Sequence, residues 1–370
     1  MVGLCGIAVL ALALQSAHAG SATTQPNTVK VVGGPVWTLA MDWPRIAYAS
    51  GKSANSETIH IWNVATGATS VIKGGLHDSA VHFVAGIAIA GKRVVWVKGR
   101  QFGNTEIDRW LYTAPIGGSA HLLKKVFGLD LSCGPDGPQL AGLAGSSGAA
   151  VVSTWTAASD GSAPSNQRLA LVTPTGLQTI ATGADAIVSE SVDAGHIAVL
   201  PLPVLSAGPY DCPSATLTTS VPVYSTEGAL LATIALPPVE PSTLGYQVAI
   251  RGKRLVVLTF GLHQPSGPAW VTLTVYDWTT GALLHTWPVA IKLYPGEVNF
   301  SFSGKVAAVE GPFRLHLVDL DTGKDVLIAR ASHTLSRTAL GPRGLVYAVD
   351  AGDSGKLVFV PMARLLQLVS

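Results

Sequence analysis

Residues 298–328 alternate apolar and polar positions in four short runs separated by turns. Val298, Phe300 and Phe302 fall on one face and Asn299 and Ser301 on the other, before a Ser303-Gly304-Lys305 turn. A second run at 306–309 is broken by Glu310-Gly311-Pro312, and a third at 314–320 turns through Asp321-Thr322-Gly323 into a fourth at 326–328. Period-two apolarity with glycine at the turns predicts a four-stranded antiparallel meander.

The third and fourth runs recur at 59–72, 109–123, 168–180, 221–234 and 273–287, with turn glycines Gly67, Gly117, Gly176, Gly228 and Gly281 alongside Gly323. Glycine suits these positions because a tight hairpin needs positive φ at one residue. The first two runs recur too, around turns such as Gly91-Lys92-Arg93, Gly195-His196 and Gly252-Lys253-Arg254. A seventh copy ends the chain, with 357–360 as its third run, 365–369 as its fourth, and a turn at 361–364 that lacks glycine. Residues 29–32 form a further apolar run able to pair with the last copy, although that copy already supplies four runs. Seven units averaging about 49 residues fit propeller blades and not helical repeats. A lone sheet of this kind cannot cover both faces, and radial stacking buries them. The expectation is therefore an all-β, seven-bladed β-propeller of four-stranded antiparallel blades.

A Gly-Lys or Gly-His turn before an apolar strand, followed by a strand ending in Asp/Asn-x-x-Thr-Gly, resembles the repeats of TolB-like and WD40-like bacterial β-propellers. Only Trp62-Asn63 comes near the Trp-Asp signature of WD40 blades, and Gly195-His196 lies at a different turn from the usual Gly-His. The resemblance implies the fold and a binding role, and carries over no catalytic residue.

Composition narrows the class. The 370 residues include only 12% charged, with 40 Gly and 23 Pro, which suits a turn-rich β protein and opposes disorder. A net charge of +2 without runs gives no support for nucleic-acid binding. Residues 1–19 read as a secretory signal, with a short apolar run and Ala17-His18-Ala19 before the cut, although no Lys or Arg precedes the run. Residues 20–28 read as a polar tether and 29–370 as one domain, extracytoplasmic and touching a membrane only through its export signal. Cys133 and Cys212 then remain, and an oxidising compartment predicts a disulfide between them. Its loop of about 80 residues would contribute on the order of 4 kcal/mol.

In such a meander the links between runs two and three share one end of the ring with the links between blades. These are the long, variable links, at 50–57, 98–106, 155–167, 201–220 and 260–270, and that end is expected to bind. Both cysteines fall there, so the disulfide is topologically possible. Trp155 and Trp270 flank long links and offer rings for a sugar or peptide. His77, Asp78 and His82 form the densest polar group in an inter-blade link, an incomplete metal set that also reads as a loop cap. Glu190 is expected to line the central channel with Gln247 and Asn299, and with Arg337 it is a candidate for ligand contact at the channel mouth. The basic turns at Arg45, Lys92, Arg93, Lys253, Arg254 and Lys305 gather at the opposite end as a solvated rim.

Gly352-Asp353-Ser354-Gly355, Gly51-Lys52-Ser53, Gly145-Ser146-Ser147-Gly148 and the Asp319–Asp321 pair each miss the spacing or context of the motifs they approach. No cofactor is implied. The leading expectation is a non-catalytic binding module for a protein or another cell-envelope component. The alternative is a glycan-active hydrolase or lyase with carboxylates at the channel mouth.

Overall fold

The runs read from the sequence become strands because their alternating side chains can bury both faces of each sheet against neighbouring sheets. A computed structural model describes residues 27–53, 56–72, 81–102, 106–130, 137–157, 165–183, 186–202, 219–238, 243–262, 269–291, 298–311, 313–330, 335–351 and 353–370. Within them lie seven four-stranded antiparallel sheets and one short helix. Strand β1 is Thr28–Val32. Blade one is Val36–Asp42 (β2), Arg45–Ser50 (β3), Thr58–Asn63 (β4) and Thr69–Val71 (β5). Blade two is Val81–Ala90 (β6), Arg93–Phe102 (β7), Glu106–Pro115 (β8) and His121–Asp130 (β9). Blade three is Gly137–Ser146 (β10), Ala149–Ala157 (β11), Ser165–Val172 (β12) and Leu177–Gly183 (β13). Blade four is Ala186–Asp193 (β14), His196–Leu202 (β15), Ser220–Ser225 (β16) and Leu230–Ala235 (β17). Blade five is Thr243–Arg251 (β18), Arg254–Leu262 (β19), Ala269–Asp277 (β20) and Ala282–Pro288 (β21). Blade six is Asn299–Ser303 (β22), Val306–Gly311 (β23), Arg314–Asp319 (β24) and Asp325–Arg330 (β25). Blade seven is Leu335–Gly341 (β26), Gly344–Ala351 (β27) and Ser354–Pro361 (β28), completed by β1.

Ring closure corrects one expectation. The run at 365–369 is not a fourth strand but part of helix α1, Met362–Val369. Leu365 and Val369 stand four residues apart, so a helix buries both on one side, against the seam of blades six and seven. The fourth strand of blade seven comes instead from the other end of the chain. β1 pairs antiparallel with β28 from Thr28↔Phe359 to Val32↔Gly355. First and last segments thereby close the ring in a single sheet.

The first strands contact one another in cyclic order around the ring, so they line its centre. Each of the seven seams between blades has its own apolar cluster, for instance Trp96, Trp110 and Tyr112 of blade two against Ala47, Ile59 and Ile61 of blade one. Trp62 and Trp278, in or just beyond third strands, are buried in such clusters. Turn glycines Gly67, Gly117, Gly228, Gly281 and Gly323 adopt φ between 73° and 95°.

Side chains also tie blade to blade. At the short-turn end, Asp42 accepts from the Gly91 N–H at 2.9 Å, and Asp193 from the Gly252 N–H at 3.0 Å. Arg45 and Arg254 reach into the next blade as well, to the Gly91 carbonyl and to Asp321, so part of the basic rim is committed to seams. At the long-loop end, Glu57 accepts from the Val84 N–H, Glu310 from the Arg337 N–H at 2.7 Å, and Asp350 from the Val36 N–H at 3.0 Å. At the long-loop end the amide belongs to an inner strand of the next blade, at the short-turn end to the turn that follows one, and each would otherwise be an unpaired backbone group.

Six of the seven inner strands carry a one-residue register shift near their long-loop end: Val36/Thr38, Val84/Gly86, Leu140/Gly142, Ile187/Ser189, Thr243/Gly245 and Ser336/Thr338. A β-bulge of this kind re-aims the side chains beyond it. That matters for the site described next.

Candidate functional site

Blade five has an unusual face. Along β20, Val271, Leu273 and Val275 point into the apolar seam with blade six. The alternate positions, Trp270, Thr272, Thr274 and Tyr276, look the other way and line a concave pocket of about 620 Å³. That volume lies within the usual range for small-molecule sites. The strand register explains the floor. Tyr246, Thr259, Thr272 and Pro288 form one cross-strand row, and Val257, Thr274 and Thr286 form the next. Above them Thr243 and Trp270 both oppose Gly261. Thr243 and Tyr246 are three residues apart, which in a regular strand would put them on opposite faces. The register shift between Thr243 and Gly245 inserts one residue, and both side chains line the pocket. Residues 236–238 and 289–291, on the links between blades, supply the remaining walls. The pocket therefore lies at the long-loop end.

Four polar atoms on this wall are shielded from solvent and lack hydrogen-bond partners: Thr243 Oγ1, Tyr246 Oη, Trp270 Nε1 and Tyr276 Oη. Tyr276 is only 3% exposed. Burial pushes the Tyr246 phenol up to about 12, while the nearby Thr243 hydroxyl pulls the other way without meeting full hydrogen-bond geometry. Burial also raises Tyr276. Both phenols are neutral at physiological pH. Among the described residues the lining contains no Asp, Glu, His, Lys, Arg or Cys. These residues offer rings, hydroxyls and apolar surface, but no charge and no acid–base pair.

The other sequence candidates are scattered around the ring. Glu190 does not face the channel. Side chains of a strand stand normal to the sheet, so those of inner strands point toward neighbouring blades, and only the backbone edge faces the axis. Glu190 lies in the seam between blades three and four, where Ser153 Oγ donates to Oε2 at 3.3 Å and Oε1 is sealed and unpaired. The residue keeps some exposure, yet its carboxyl end is enclosed, and burial raises its pKa to about 8. Gln247 bridges to blade six through the Val298 carbonyl and the Phe300 N–H. Arg337 sits at the bulge of β26 with φ 65°, exposed, its Nε donating to the Trp37 carbonyl at 3.0 Å. Glu190 and Arg337 thus occupy different seams and do not converge.

His82 is buried in β6, opposite Arg100. Trp155 is in β11, paired with Gln139. His77, Asp78, Cys133 and Cys212 lie outside the described residues, as do residues 1–26. Among the described residues no group of three or more His, Cys, Asp or Glu is placed to hold a metal, and no helix is long and apolar enough to cross a membrane.

Among the described residues, Trp270 is the one sequence candidate in the pocket. Thr243, Tyr246 and Tyr276 were missed, although a signal existed. A third strand buried on both faces ordinarily carries apolar residues on both, whereas residues 270–276 alternate Val and Leu with Trp, Thr, Thr and Tyr.

Fold and closure define a seven-bladed β-propeller. No protein-family model and no curated protein matches the chain. Among solved structures, Saccharomyces cerevisiae Sqt1 aligns at 11% identity with a TM-score of 0.45, over 91% of this chain and 99% of that one. A likeness at that level leaves the architecture to rest on the seven sheets themselves.

Proposed function

We propose that this protein is a non-catalytic binding module that takes up a component of the cell envelope, or a protein displayed there, at the long-loop end of the ring. One observation carries the reading: a preformed pocket in blade five whose wall holds four buried polar atoms without partners. An unpaired buried polar group costs about 1–3 kcal/mol. Four among the residues of one concave wall are a standing expense that a ligand would relieve once a side-chain shift opens a path to them. The absence of any carboxylate or histidine among the described lining residues favours binding over hydrolysis at this place. The signal-like residues 1–19 support an extracytoplasmic setting, where Cys133 and Cys212 would pair. Intact-mass measurement on exported protein, with and without reductant, checks that part. Two free thiols would remove it.

The binding reading is tested by co-sedimentation with insoluble cell-envelope material. Wild-type protein should pellet with it, and a folded Trp270→Ala variant should stay in the supernatant. Equal pelleting of the two, or none by the wild type, overturns the assignment to this pocket.

A further inference from the structure

We infer that the blade-five pocket is built for a neutral carbohydrate, a short uncharged oligosaccharide or the uncharged end of a larger glycan. This rests on the binding reading above and narrows it to a ligand class.

Elimination begins with charge. No described lining residue is ionised at neutral pH, since burial raises both tyrosines. A charged ligand entering this wall would lose its hydration and meet no counter-charge from the described lining, a penalty of several kcal/mol. A purely apolar ligand fits no better. It would cover the aromatic surface but leave Thr243, Tyr246, Trp270 and Tyr276 as unsatisfied as before.

The ligand must therefore carry several neutral donors and acceptors together with apolar faces. A pyranose does both. Its C–H face packs on an aromatic ring, and its hydroxyls donate and accept around the edge. The pocket matches each property: Trp270, Tyr246 and Tyr276 supply rings, and five threonines and the two phenols supply hydroxyls that donate or accept as required. Trp270 Nε1, a donor only, suits a ring or hydroxyl oxygen. Because the hydroxyl rotors adjust, the wall can meet a dense set of sugar hydroxyls without fixed amide geometry.

An extended peptide suits the place less well. The two strands at the centre of the floor, β19 and β20, are paired along both edges. On the inner strand β18, the Val248 and Ile250 amides already donate to Ser189 and Ser191 of blade four. β18 to β20 offer no open edge there for strand addition, and the outer strand β21, whose far edge is unpaired among the described residues, carries Pro288 at the pocket, a residue with no N–H to donate. A proline-rich segment on the aromatic rings is the remaining competitor, and the experiment separates it.

Calorimetric titration of full-length protein would use three probes: neutral hexose and N-acetylhexosamine di- and trisaccharides, uronic-acid oligomers of equal length, and a proline-rich peptide. The expected result is saturable binding of at least one neutral sugar, weakened tenfold or more by Trp270→Ala and measurably by Tyr246→Phe, which keeps the ring and removes only the hydroxyl. Uronic-acid oligomers should bind at least tenfold more weakly. Three results overturn the inference: preference for the acidic oligomers, sugar binding indifferent to both substitutions, or Trp270-dependent binding of the peptide with none of the sugars. The last would leave the binding-module reading standing while removing its carbohydrate ligand. Indifference of envelope co-sedimentation to Trp270→Ala would remove the assignment of binding to this pocket. Circular dichroism melts on each variant exclude unfolding as the cause of any loss.

Discussion

Gly142 of blade three makes room for Glu190 of blade four: a Cβ built at residue 142 would stand 2.0 Å from both carboxyl oxygens. The bulge between Leu140 and Gly142 brings the glycine backbone to the carboxyl end of its neighbour. Contact this close has a testable signature. Gly142→Ala should destabilise the protein by about 2 kcal/mol or more, through overpacking and displacement of a buried polar group. Glu190→Ala removes the clash, so the double variant should be less destabilised than the sum of the single changes. Urea melts of the four proteins measure the coupling. Additivity would show that the two residues do not meet.

Buried carboxyls in the seams make stability depend on pH in an uncommon direction. Burial raises Glu190 to about 8, and Glu57 and Glu310 to about 7, the last two against the opposing pull of the amides they accept from. A carboxyl whose pKa is raised by folding binds its proton more tightly in the folded state. Its contribution is complete below the unfolded value near 4.5 and is lost as pH rises through 7 to 8. The melting temperature should therefore be higher at pH 5.5 than at pH 9. Glu190→Gln should flatten the slope, since the amide approximates the protonated acid. A melting temperature independent of pH over that range would contradict the enclosed position of these groups.

The seven repeats were legible because strand alternation and turn glycines are local signals, repeated often enough to align. Ring closure was not. Residues 365–369 are as apolar as a strand, and only the four-residue spacing of Leu365 and Val369 marks them as helix. The pairing of β1 with β28 joins segments more than 300 residues apart and leaves no local trace. Glu190 lies in an inner strand, as its run implies, but its side chain enters the seam toward Ser153 and Gly142 instead of lining the central channel. The pocket was half legible: Trp270 follows from the long-loop argument, whereas Thr243 joins Tyr246 only through a bulge that period-two counting cannot see.

Closure by β1 leads to a prediction about assembly. Its removal would expose the whole edge of β28, five paired residues long, and uncover the seam that Val32 helps to fill. A chain beginning at residue 34 should melt at a markedly lower temperature and aggregate more readily. A peptide of residues 27–35 added in trans should restore part of the loss, because the missing strand is held by pairing and packing with no turn to neighbouring strands. Unchanged stability of the truncated chain would contradict the closure.

The pocket wall should show stability and binding moving in opposite directions. Tyr276 is buried to 3% exposure, and its hydroxyl has no partner, so the folded protein bears its desolvation without return. Tyr276→Phe keeps the ring in its cluster with Trp278 and Val257 and deletes only the oxygen. The variant should be equal to or more stable than the wild type, by up to about 1–3 kcal/mol. Tyr224 provides the contrast, since it is partly buried outside this pocket and its hydroxyl is not among the sealed, unpaired atoms. Tyr224→Phe should bring no comparable gain. If the Tyr276 hydroxyl is kept for a ligand, the stabilised variant should bind its neutral sugar more weakly, the trade expected where a site holds unsatisfied groups ready for a partner. Thermal melts with and without sugar measure both quantities in one experiment. A Tyr276→Phe protein that loses stability and keeps full affinity would show that the hydroxyl is satisfied within the fold and has no part in binding.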